Sequence, residues 1–68
     1  MNNHKFAELS ASDPNWRVKL EELLRQGIAV HLVGFKDHHL NWCEDLQKKY
    51  GAGGRFKPET GEAFFFRP

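Results

Sequence analysis

Gly27-Ile28-Ala29-Val30-His31-Leu32-Val33-Gly34 is the stretch on which the fold turns. An apolar, β-branched run between glycines reads as a strand over 28–33. Ile28, Val30 and Leu32 face one way; Ala29, His31 and Val33 face the other. Both faces are largely apolar, which asks for covering structure on one side and partial cover on the other. Gly34 and Phe35 end the run.

Upstream, Asp13-Pro14 marks a helix start. The Asp13 carboxylate can accept from free backbone N–H groups, and Pro14 suits a first helical position. Trp16, Leu20, Leu23 and Leu24 then share one helical stripe, and Gly27 suits the residue after the last turn. The spacing predicts a helix over 14–26. Downstream, Asp37 is a second capping candidate. Leu40, Cys43, Leu46 and Tyr50 form another stripe with Trp42 beside it. Lys48 and Lys49 suit a helix C-terminus, and Gly51 suits its stop. This predicts a helix over 38–50.

Gly51-Ala52-Gly53-Gly54 reads as a flexible connector. Arg55-Phe56-Lys57, the turn Pro58-Glu59-Thr60-Gly61 and the run Glu62-Ala63-Phe64-Phe65-Phe66-Arg67 together read as a β-hairpin. The order is α, β, α, β, β. It predicts a small α+β domain with a three-stranded, mostly antiparallel sheet and two helices on one face. The Phe-rich last strand belongs in the middle. The basic strand 55–57 belongs at an edge, where Lys and Arg discourage further pairing. Residues 1–12, with Phe6, Ala7, Leu9 and Ala11 as their apolar content, read as a flexible N-terminal lead-in docking through Phe6 and Leu9. Residues 13–68 read as the single domain.

Composition bounds the function. The chain has 68 residues, 40% of them hydrophobic and 28% charged, with a formal net charge of +1. That balance is globular, with room for one small core. A domain of this size has little room to enclose a cofactor and a substrate, which excludes most enzyme classes, and no cofactor or small-molecule substrate is expected. The lone Cys43 allows no intramolecular disulfide, no run nears the roughly 20 apolar residues of a membrane span, and Met1 to Phe6 holds no apolar signal core. The expected home is the cytoplasm, and the brevity suits a bacterial or phage protein.

Four groups of residues could carry chemistry. His38, His39 and Cys43 lie close together, and His39 and Cys43 at i, i+4 could share a zinc ion. However, Cys43 lies on a core stripe, there is no paired Cys-x-x-Cys or His-x-x-x-His, and the reading is no metal. Cys43 with a histidine is also the one thiol–imidazole pair, but catalysis needs an exposed thiolate, so the chain reads as non-catalytic. Basic charge collects in residues 47–68, where Lys48, Lys49, Arg55, Lys57 and Arg67 face only Glu59 and Glu62. Basic groups among aromatic rings can hold phosphates and stack on unpaired bases, so nucleic acid is the alternative partner. A winged helix-turn-helix is spoiled by the strand between the two helices. Finally, nine aromatic residues in so short a chain exceed what one core absorbs. A sheet covered on one face leaves His31, Val33 and part of the Phe triplet exposed, unless residues 1–12 cover them. His31, Val33, Phe65 and Trp42 are thus the candidate protein-interface residues. The leading expectation is a small regulatory protein, an adaptor or inhibitor, acting through contact with a protein partner or a second copy of itself.

Overall fold

A computed structural model describes residues 6–66. In chain order the elements are strand β1 (Ala7–Ser10), helix α1 (Trp16–Arg25), strand β2 (Val30–Val33), a 3₁₀ turn (Asp37–His39), helix α2 (Leu40–Tyr50), strand β3 (Gly53–Lys57) and strand β4 (Glu62–Phe66). The sheet has four strands in the order β1-β2-β4-β3. β4 runs antiparallel to both neighbours and β3 holds an edge, as the sequence predicts.

The fourth strand corrects the expected three. Residues 7–10, read as part of a flexible lead-in, pair parallel with β2, with Leu9 opposite Leu32. The pairing makes β1-α1-β2 a βαβ unit, the connection that parallel strands require. β2 and β3 both run antiparallel to β4, so they are parallel to each other, and α2 carries the chain across the slot that β4 fills. Leu9 and Phe6, expected to dock together, part company. Leu9 joins the core, whereas the Phe6 ring packs edge-on against Phe64 and Phe66.

One core holds the layers together. Trp16, Leu20 and Leu24 from α1 and Cys43 and Leu46 from α2 pack with Leu9, Val30, Leu32, Ala63 and Phe65 from the sheet. Both helices therefore cover the same face, and the radius of gyration is 11.0 Å. Each helix starts differently from its local signal. The Asp13 carboxylate accepts the Asn15 N–H at 2.9 Å and the Asp13 carbonyl accepts the Trp16 N–H at 3.0 Å, so a turn precedes α1. Before α2, His39 rather than Asp37 does the local work: its Nδ1 accepts the Lys36 N–H at 3.0 Å.

The expected flexible connector is built structure. Gly51 ends α2 at φ 65°, a left-handed conformation that glycine adopts without steric penalty. Gly53 and Gly54 belong to β3. A Cβ at Gly54 would lie 3.0 Å from the Gln47 side chain and 2.9 Å from Phe56, so the bare backbone lets α2 close on the sheet. The hairpin turn forms where Pro58 and Gly61 place it. The Gly61 N–H donates to the Pro58 carbonyl at 3.2 Å, and the Gly61 carbonyl accepts the Phe35 N–H at 2.9 Å.

Candidate functional site: the open face of the sheet

Strand alternation sorts the sheet residues into two sets. Ala7, Leu9, Val30, Leu32, Ala63, Phe65 and Phe56 point toward the helices. The registers align the opposite set in rows across the strands. One row is Glu8, His31, Phe64 and Arg55; the next is Ser10, Val33, Glu62 and Lys57. Phe66 extends this face beside Gly53, with Phe6 against it. No described helix covers these residues.

At the centre lies His31. Its ring stacks on Phe64 with centroids 4.6 Å apart and planes within 10°. Nδ1 lies 3.1 Å from a Glu8 carboxylate oxygen and Nε2 lies 3.2 Å from a Glu62 oxygen. A ring with a carboxylate on each side satisfies both contacts best when it carries both protons. Accordingly Glu8 raises the His31 pKa above its ordinary value; partial burial opposes this and Glu62 adds to it. Phe6, Phe64 and Phe66 form a small aromatic group, in which Phe66 is 39% exposed.

The expected interface set divides. His31 and Val33 do lie on the open face, half-buried. Phe65 does not. It opposes Val30 and is fully buried under the helices, so Phe64 and Phe66 take the exposed role in its place. Counting the pleat from β2 across the pairing sets this: Val30 faces the core, hence so does its partner. Trp42 is also no part of the sheet face. It packs edge-on against Trp16 at 5.3 Å, and the Arg17 guanidinium sits near both rings, at 5.4 and 5.3 Å. Glu8, Glu62 and Phe6 are the open-face residues that sequence reasoning missed. The alternation Phe6-Ala7-Glu8-Leu9-Ser10 is the signal that could have found two of them.

The basic set divides too. Arg55 and Lys57 lie on the open face, in rows with Glu8 and Glu62. Lys48 is exposed on α2. Lys49 donates to Glu21 of α1 at 3.0 Å, a carboxylate that also accepts the Tyr50 hydroxyl at 2.8 Å. The positive charge expected in one patch is thus shared between two layers and partly paired. Arg67 lies outside the described residues.

The metal candidates are not assembled. Cys43 is fully buried, and burial pushes its thiol up to about 12. His39 is buried, its Nδ1 already accepts from Lys36, and burial followed by the nearby His38, Arg17 and Lys36 lowers its pKa. His38 is exposed with its ring 4.1 Å from that of His39. Among the described residues no group of three or more His, Cys, Asp or Glu side chains is placed to hold a metal ion. No described helix is long and apolar enough to cross a membrane.

No protein-family model, characterised protein or solved structure matches the chain significantly. The site therefore stands on its own geometry.

Proposed function

We propose that the protein is a small non-catalytic binding protein, an adaptor or inhibitor, which docks a partner protein on the open face of its sheet. The supporting observation is the Phe6, Phe64 and Phe66 group on a face left uncovered by the helices. An aromatic patch ringed by charges of both signs is the anatomy of a protein interface, with an apolar centre and a polar rim. The rim here is Glu8, Glu62, Arg55 and Lys57. The buried Cys43 thiol and the engaged His39 ring support a role without nucleophilic or metal chemistry, and the lone cysteine suits the cytoplasm.

Nucleic acid is the second reading. It draws on Arg55 and Lys57 beside Phe64 and Phe66, where a base could stack. The two carboxylates in the same rows weigh against a phosphate backbone. A photo-crosslinking residue in place of Phe66, activated in living cells, separates the readings; the same residue in place of Lys48 is the control. A protein adduct from position 66 and none from position 48 is the expected result. A nucleic-acid adduct from position 66 selects the second reading, and no adduct overturns both.

A further inference from the structure

The open face is complementary to itself, and we infer that the partner docked on it is a second copy of this chain in a two-fold, face-to-face dimer. The inference rests on the reading of that face as a docking surface. It follows from the order of residues in the rows. A two-fold axis lying between two stacked sheets, roughly along the strands, reverses the strand order. β1 of one copy then lies over β3 of the other, and β2 over β4.

In the central row the reversal places Glu8 over Arg55 of the second copy and His31 over Phe64. The row is acidic at one end and basic at the other, so both ends meet an opposite charge. Glu8 can serve in both contacts. Only one of its carboxylate oxygens contacts His31, and its side chain is 72% exposed. Arg55 forms no ion pair among the described residues and is exposed. In the row toward Phe66 the reversal sets large against small. Phe6 falls over Gly53, and Phe66 falls over Ala29, whose carbonyl accepts the Ala7 N–H at 2.9 Å. In the third row Ser10 meets Lys57 and Val33 meets Glu62, which makes that end the wet rim. Any other face would have to match an aromatic group and two charges; a second copy supplies the match by symmetry.

Four strands about 4.8 Å apart and five residues rising about 3.4 Å each give a small footprint. Association is therefore expected to be weak and reversible, with a dissociation constant of about 100 µM. The test is sedimentation velocity of the full chain from about 10 µM to 1 mM. Wild type should dimerise. R55E sets glutamate against Glu8 twice per dimer and should weaken association at least tenfold; E8R sets arginine against Arg55 with the same effect. Mixing E8R with R55E makes both contacts opposite in charge again and should restore a heterodimer. A misfolded variant could not be rescued by mixing, and circular dichroism of each variant checks its fold. A chain monomeric at every concentration overturns the inference, as does a dimer indifferent to R55E. The docking reading itself survives such a result if the position-66 crosslink captures a different protein.

Discussion

Phe65 and its neighbours Phe64 and Phe66 are the same residue in one strand, with opposite fates. Phe65 is fully buried beneath two helices; Phe64 and Phe66 stand on the other side of the pleat, against His31 and Phe6. The difference teaches that a run of identical residues can fill a core on one face and leave rings uncovered by helices on the other. Position in the register decides which.

The largest test of that contrast removes each ring. Phe65→Ala should cost about 3–5 kcal/mol, the usual range for emptying a phenyl site in a core. Urea unfolding followed by tryptophan fluorescence measures it, and a loss under 1 kcal/mol would contradict the assignment of this face. Within the same core, Cys43→Ser buries a hydroxyl where the thiol acts as a small apolar group. A loss of about 1–3 kcal/mol is expected, together with absence of thiol labelling in the native wild-type chain.

Two histidines, His31 and the buried His39, extend the contrast to pH. His39, between the helices and the loop before them, has a lowered pKa. Its contribution is complete above the ordinary histidine value of about 6.5 and is lost as pH falls through the lowered native value. His31, on the open face, has a raised pKa. Its contribution is complete below about 6.5 and is lost as pH rises through the raised native value. Urea midpoints measured from about pH 5 to 8 should therefore lose their alkaline decline in His31→Gln and their acid decline in His39→Gln. Swapped effects would mean the two environments are misassigned. The smallest effect on folding is expected from Phe66→Ala, within about 1 kcal/mol, because the ring is already partly in water. A stability loss near that of Phe65→Ala would make the open face part of the core and contradict the proposed binding role.

Much of this architecture was legible locally. Trp16, Leu20 and Leu24 announce α1 by spacing, and Cys43 and Leu46 do so for α2. Gly51 marks its stop, and Pro58 with Gly61 marks the turn. β1 was not legible, for a physical reason. Only Leu9 in it is well buried, and its partner β2 lies on the far side of a helix in sequence. Such a strand exists through a distant parallel pairing, and its short alternation does not say which partner it joins. The open face suffered the same fate. Alternation says that Phe65 opposes Phe64 and Phe66, but not which of them faces the helices.

By itself, then, the sequence determined the helices, the hairpin, the antiparallel place of the last strand and the absence of an intramolecular disulfide. Each depends on spacing of a few residues or on residue type. Only the tertiary structure decided that residues 7–10 close a four-stranded sheet, that Gly54 lies under Gln47, and that His31 sits between Glu8 and Glu62. These three depend on which segments, far apart in the chain, meet in which register, and a slip of one residue would exchange the two faces of the sheet.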